Sequence, residues 1–297
     1  MTEASAQSSP GVQSDLDGDP QRIALVLAYD GSHFNGWQTQ PERNTVQDCL
    51  EAALARITGE AAPTICAGRT DAGVHAARQV VHFDVCCRRP MTAWVRGVNS
   101  HLPAAIAVRH AAQVDASFHA RYGALRRCYR YLLLSDPVRQ PLLAGRVGRT
   151  HRPIDATAMS EAATVLLGEH DFSAFRSAQC QASSPVRRID SITIEALDTE
   201  PFAIAAGAGS GPGSGASAAR LLSVRFVGNA FLHHMIRNIM GALVMVGSSQ
   251  RPVPWMGELL AGRDRRQGAA TFDAAGLCFE GVEYDPRFGL PSWPDEP

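Results

Sequence analysis

Twice along the chain the same order of elements can be read: strand, helix, two strands, helix, strand. In the first pass "RIALVLAYDG" (22–31) is an apolar run closed by a turn signal, hence a strand. "NTVQDCLEAALARITGE" (44–60) is helical: Thr45 and Asp48 form a start signal, Leu50, Ala53, Leu54 and Ile57 mark one face, and Gly59 stops it. "PTIC" (63–66) and "RQVVHFDVC" (78–86) are strands, followed by a short helix near 91–100 and a strand near 105–111. In the second pass "RRCYRYLLL" (126–134) is a strand, and "DATAMSEAATVLLGEH" (155–170) a helix begun by Asp155 and ended by Gly168. "RRIDSITIEAL" (187–197) and "RLLSVRFVG" (220–228) alternate as strands, "AFLHHMIRNIMGALVMVG" (230–247) is a helix, and "CFEGVEY" (278–284) a closing strand. This order predicts an α+β fold of two ferredoxin-like, RRM-like (βαββαβ) halves, with antiparallel sheets side by side and a central cleft. Only the element order recurs; identity between the halves is too low for a sequence repeat.

The boundaries follow. Residues 1–21 are polar, acidic and rich in Ser, Gly and Pro, and are expected to be a disordered leader. An N-terminal half spans 22–115, a C-terminal half 116–290, and a tail 291–297. Inside the second half "AGAGSGPGSGASAA" (206–219) reads as a flexible insertion in a hairpin loop. With 297 residues, 45% of them apolar, the chain can bury a sizeable core. No apolar run approaches a membrane span, and the leader lacks an apolar signal segment, so the expectation is a cytoplasmic protein. Seven cysteines without a C-x-x-C pair fit neither a zinc framework nor a disulfide scaffold and are read as reduced.

The formal net charge of −1 conceals an uneven distribution. Six acids lie in the leader and tail, and setting them aside leaves 28 cations against 23 anions. All 28 cations are Arg, a side chain that stacks on bases and binds phosphate bidentately. From His119 to Arg152 there are eight Arg and one acid, Asp136, interleaved with Tyr122, Tyr129 and Tyr131. Such a run is either a solvated basic face or a nucleic-acid surface.

Three stretches carry chemistry. In "CAGRTDAGVHA" (66–76), Asp71 stands between glycines, a setting that ordinarily makes a turn former. Here the loop follows a strand and re-enters the sheet, Gly68 and Gly73 admit a substrate backbone, and Arg69 can reach a phosphate. In "FLHHMIRN" (231–238), His233, His234 and Arg237 interrupt an otherwise apolar helix. Adjacent histidines invite a zinc reading, but H-E-x-x-H is absent and neighbouring helix positions diverge by about 100°, so no metal is expected. An Arg among Ile236, Ile239, Met240 and Leu243 is costly to bury alone, so a carboxylate should face Arg237. Along "RRCYRYLL", Arg127, Tyr129 and Tyr131 share one strand face, which makes either a stacking surface ending in a cation or a packed core.

"YDGSHFNGWQTQP", "TVQDCLEAAL", "AGRTDAGVHA.RQVVHF", "FHARYGALRRCYRY", "HDFSAFRSAQCQ" and "NAFLHHMIRNIMGALVMVG" occur here in the order found in the tRNA pseudouridine synthase A family, which the chain resembles from about residue 22 to 286. The resemblance implies isomerisation of uridines at positions 38, 39 and 40 of the tRNA anticodon stem-loop, without metal or organic cofactor. It implies Asp71 as nucleophile, Arg237 as its ion-pair partner, and Tyr129 stacked on the target base and handling protons. Arg69 resembles the residue that keeps the nucleotide out of the stack, and Leu277 the small apolar pocket wall. His119, Arg121, Arg127 and Arg176, in matched blocks, are expected on the substrate. A cytoplasmic homodimer, both subunits touching the tRNA, is likewise implied.

The chemistry suits these residue types. Pseudouridine formation breaks the C1′–N1 bond, turns the base and rejoins it through C5, with no redox change or hydrolysis. An ionised carboxylate can start it by attacking C1′ or C6 or by taking a sugar proton, and a paired guanidinium favours the ionised form. The base must leave its stack, which calls for an aromatic platform and an intruding cation. Two other classes stand beside this one: an RNA-binding module without catalysis, and a nucleosidase or glycoside hydrolase, which normally needs two acids.

Overall fold

The computed structural model describes residues 19–198 and 220–291. Most of the acidic leader, the Gly/Ser insertion 206–219 and all of the tail but Pro291 lie outside the described residues. In chain order the strands and helices are β1 (Gln21–Tyr29), α1 (Val46–Thr58), β2 (Ile65–Cys66), β3 (His75–Val85), a π-helical turn (Ala93–Gly97), β4 (Ile106–Val114), β5 (Arg126–Ser135), β6 (Gly148–Thr150), α2 (Ala156–Ala163), β7 (Gly168–Asp171), β8 (Val186–Leu197), β9 (Arg220–Gly228), α3 (Met235–Gly247), α4 (Trp255–Gly262) and β10 (Leu277–Glu283).

The local causes are visible at the helix ends. The Thr45 side chain accepts from the Asp48 backbone N–H and donates to its carboxylate, and Gly59 closes α1 in the left-handed region at φ +81°. Asp155 caps α2 through the N–H groups of Thr157 and Ala158. The predicted extent of that helix is too long, however. It ends at Ala163, a 3-10 turn follows (Thr164–Leu166), and Gly168–Asp171 pair with Ile189–Val186 as β7 on β8. A free sheet edge captured residues whose periodicity alone would have continued the helix.

All ten strands of the described residues share one sheet, in the order β4-β1-β3-β10-β5-β9-β8-β7, with β2 on β3 and β6 on β5. With β6 and β7 set aside, each half lays its strands in the order fourth, first, third, second: β4-β1-β3-β2, then β10-β5-β9-β8. The fold is α+β, and the sheet is continuous and mixed rather than two separate antiparallel sheets. The halves join where β3 and β10 run parallel, over only Cys278 opposite His75 and Phe279 opposite Ala76.

Both faces of the first half are covered, so β1 reads as a nearly unbroken apolar run. On one face Phe83 meets Trp94 of the π-helical turn edge-on at 5.5 Å. On the other, fully buried Phe118 packs against His82, Tyr284 and Phe288. His75 opens β3, so the loop carrying Asp71 emerges at the seam between the halves.

Candidate active site

The loop of residues 67–74 is held from three sides. Gln79 of β3, fully buried, donates to the Gly68 carbonyl at 2.5 Å and accepts from the Gly68 N–H at 3.4 Å. Tyr29, at the end of β1, bonds the Thr70 hydroxyl at 2.8 Å. The "DGSHFNGW" stretch that follows supplies the third side: Trp37 N–H donates to the Thr70 carbonyl and Gly73 N–H to that of Phe34. Gly31 has no room for a side chain, since a Cβ there would sit 1.9 Å from the Val74 carbonyl oxygen. A turn from the Asp71 carbonyl to Val74 N–H, with Gly73 at φ +79°, completes the loop.

Asp71 projects from this clamp toward the second half. Arg237 Nη1 donates to Asp71 Oδ2 at 3.2 Å, His233 Nε2 lies 3.3 Å from Oδ1, and His234 Nε2 lies 3.4 Å from Oδ2. The Asp71 side chain is 20% exposed and that of Arg237 16%. Arg237 is anchored in turn, its Nε donating to the Phe272 carbonyl at 2.9 Å. The carboxylate expected to face Arg237 is therefore Asp71. Its sequence neighbours play other parts: Arg69 is exposed, and His75 turns away to the carbonyls of Gly145 and Ala275 at 2.8 and 3.2 Å.

The two histidines converge because they precede the helix rather than belong to it. α3 starts at Met235, and His234 sits in the left-handed region at φ +61°, so the divergence expected of neighbouring helix positions does not apply. Their rings lie 4.0 Å apart. The metal-capable atoms of Asp71, His233 and His234 lie within 4.8 Å of one another. Both residues were visible as part of a polar stripe, yet the helical register concealed their approach to the acid.

The electrostatics follow from these contacts. Burial by itself would raise the Asp71 pKa, but the His233 hydrogen bond and the charges of His234, His233 and Arg237 outweigh it and hold the carboxyl below its ordinary value. The hydrogen bond to Asp71 raises the pKa of His233. Burial dominates at His234 and lowers it.

Tyr129 is buried on β5, its ring edge-on to Phe231 at 5.2 Å and Phe279 at 4.9 Å. Its hydroxyl reaches the loop, since a Cβ on Gly68 would come 3.3 Å from it. Burial drives the Tyr129 pKa up, and the Asp71 carboxylate pushes the same way. Leu277 is buried at the start of β10, opposite Tyr131. Two expected substrate contacts are placed differently. Arg127 is buried, and its guanidinium donates to the carbonyls of Ala67, Arg121 and Asn229, leaving it little to offer a phosphate. Arg176 is half-buried and ties the carbonyls of Cys180 and Ala182, each at 2.7 Å. Face alternation along a strand reveals direction but not depth, and Arg127 shows the difference.

Arg121 and His119 do stand at the surface, joined by a residue read only as part of the basic run. The His119 ring lies 4.9 Å from His82 and 4.4 Å from Tyr122, and Tyr122 is 77% exposed with the Arg121 guanidinium 5.6 Å from its centroid. This ladder of rings, topped by a cation, runs from the sheet into solvent and is suited to base stacking.

A model of the family described as tRNA pseudouridine synthase matches residues 25–123 and 162–285. The chain belongs to this family. It is 50% identical over 277 residues to a Thiobacillus denitrificans protein named tRNA pseudouridine synthase A, covering 92% of this chain and 98% of that one. Proteins of the same name from Bordetella petrii (52% over 271 residues, 91% and 93% covered) and Neisseria gonorrhoeae (50% over 279 residues, 92% and 97% covered) are similarly close.

Proposed function

We propose that the protein isomerises uridine to pseudouridine in tRNA, at positions 38, 39 and 40 of the anticodon stem-loop, with Asp71 as the initiating carboxylate. The observation that carries this reading is a single shielded acid, held from the opposite half of the molecule by Arg237 and two histidines. The depressed pKa keeps it ionised at neutral pH, as attack at C1′ or C6 or removal of a sugar proton all demand. Arg237 holds the acid in place. Tyr129, its hydroxyl beside the loop backbone, stacks on the everted base and helps move a proton, and Leu277 on the adjoining strand forms the apolar wall. Exposed Arg69 fills the space the base vacates. Arg121, His119 and the neighbouring Tyr122 hold the RNA, while Arg127 and Arg176 shape the backbone beneath it.

The recurring strand order supports two ferredoxin-like halves, and the seam between them is the cleft that receives the stem-loop. The reaction exchanges one glycosidic bond for another, so it calls for no cofactor. A cytoplasmic homodimer, with both subunits on one tRNA, completes the proposal; among the described residues no helix is long and apolar enough to cross a membrane. A hydrolase would want a second acid beside Asp71, whereas its side-chain partners are Arg237, His233 and His234.

The test is incubation of an unmodified tRNA transcript with purified protein and no added cofactor. A product of unchanged mass that reacts with carbodiimide at positions 38–40 is expected. Free uracil would mean hydrolysis, and bound but unaltered RNA a binding module. Asp71→Asn is expected to bind tRNA as wild type does and to form no pseudouridine; turnover by this variant would remove Asp71 from the reaction.

A further inference from the structure

We infer that Asp71, His233 and His234 form a binding site for a borderline divalent transition metal of the zinc class, and that filling it silences the enzyme by masking the carboxylate. The silencing rests on the proposed role of Asp71; the binding does not.

The geometry carries the argument. Zinc bonds to imidazole nitrogen and carboxylate oxygen are about 2.0–2.2 Å, so two donors at adjacent corners of a tetrahedron lie about 3.4 Å apart. The separations found are 3.3 Å from His233 Nε2 to Oδ1 and 3.4 Å from His234 Nε2 to Oδ2, with all the donor atoms within 4.8 Å of one another. Both histidines present the same outer nitrogen, and the left-handed backbone at His234 already aims its ring, so little has to move. Two imidazoles and one carboxylate leave a coordination position open. Solvent reaches the cluster, since the His233, His234 and Asp71 side chains are 34%, 27% and 20% exposed. An ion seated there would occupy the space needed by an approaching ribose.

Two neighbours limit the site. Arg237, 3.2 Å from Oδ2, repels a dication and weakens its hold, which marks a reversible site rather than a structural one. Cys180 belongs to the turn that meets His233, its N–H bonded to the Ser177 carbonyl and the Ser177 N–H to the His233 carbonyl, so a thiolate is the competing ligand to exclude. The donor set also sets selectivity: two nitrogens suit zinc, cobalt and nickel, whereas magnesium prefers oxygen and retains its water. Magnesium in a tRNA reaction should therefore leave the site empty.

The test uses the full chain, freed of metal and titrated with zinc chloride by calorimetry and with cobalt chloride by absorption. Expected are one ion per chain and a cobalt spectrum of nitrogen and oxygen ligation without a thiolate charge-transfer band. His233→Gln with His234→Gln should weaken binding at least about tenfold, and Cys180→Ser should leave it unchanged. Should the double variant not fold, His233→Gln alone serves the same comparison. Pseudouridine formation should fall as zinc binds, recover on adding EDTA, and be indifferent to magnesium. No bound ion, binding that survives loss of both histidines, a thiolate band, or zinc bound without loss of activity would each overturn the inference. An active Asp71→Asn enzyme would instead refute the proposed function, leaving the calorimetry to decide the site by itself.

Discussion

Three nitrogen-bearing groups around one carboxylate give Asp71 a pH signature that can be worked out. Its folded pKa lies below the ordinary carboxylate value, so its pairing stabilises the fold fully above about pH 4, and that contribution fades as pH falls through the lower folded value. His233 behaves oppositely. Its folded pKa is raised, so its contribution is complete below about pH 6.5 and is lost as pH rises through the higher folded value. Comparing thermal midpoints of wild type and His233→Gln, the deficit of the variant should be constant between about pH 5 and 6.5 and shrink above pH 7. A deficit flat to pH 9 would mean the ring is not charged against Asp71. At this scale the sequence already demanded a carboxylate for Arg237, because an unpaired guanidinium among Ile236, Ile239 and Met240 is untenable. It could not reveal that the two histidines reach Asp71, which depends on one backbone angle at His234.

Among the elements, the Asp71 loop is held by β1 and β3, a dependence that motif spacing does not display. Gln79 is the clearest case, a fully buried amide whose hydrogen bonds go to Gly68 and Tyr29. Gln79→Leu would leave the Gly68 carbonyl and N–H without that partner, costing about 1–3 kcal/mol. It should also lower kcat with little change in tRNA affinity, since it frees the loop without removing an atom that meets RNA. Denaturant titration and steady-state kinetics check the two halves of that statement; a stable variant with normal kcat would assign the loop's rigidity to the Trp37 and Tyr29 contacts instead. The strands and helices themselves were largely legible, since their periodicity and caps are local. The end of α2 was not, because the edge of β8 that claims Gly168–Asp171 is distant in sequence.

For the whole molecule, RNA binding and cohesion divide among the arginines. Arg121→Ala should weaken tRNA binding and reduce the slope of log affinity against log salt by about one ion. Arg127→Leu should instead lower the melting temperature and barely alter that slope, because its donors are spent on carbonyls. The reverse pattern would place Arg127, and not Arg121, at the phosphates.

Cohesion between the halves centres on the site. The β3–β10 seam is two residue pairs long, and the ties that reinforce it cluster around the Asp71 loop: Arg127 to Ala67, His75 to Gly145 and Ala275, Arg146 to Asp30 at 2.7 Å, and Arg237 to Asp71. The acid proposed to start the chemistry thus also helps hold the halves in register. A double-mutant cycle on Asp71→Asn and Arg237→Ala isolates that second role. Exposed ion pairs couple by about 0–1 kcal/mol, and breaking fully buried ones costs about 3–5, so this largely shielded pair should couple by about 1–3 kcal/mol in unfolding free energy. The exposed Arg126–Glu283 pair, which also joins the second half to itself rather than to the first, should couple by less than about 1 kcal/mol in the same cycle. Equal couplings would show that the Asp71–Arg237 pair adds nothing to cohesion, and that Arg237 serves only to orient the carboxylate.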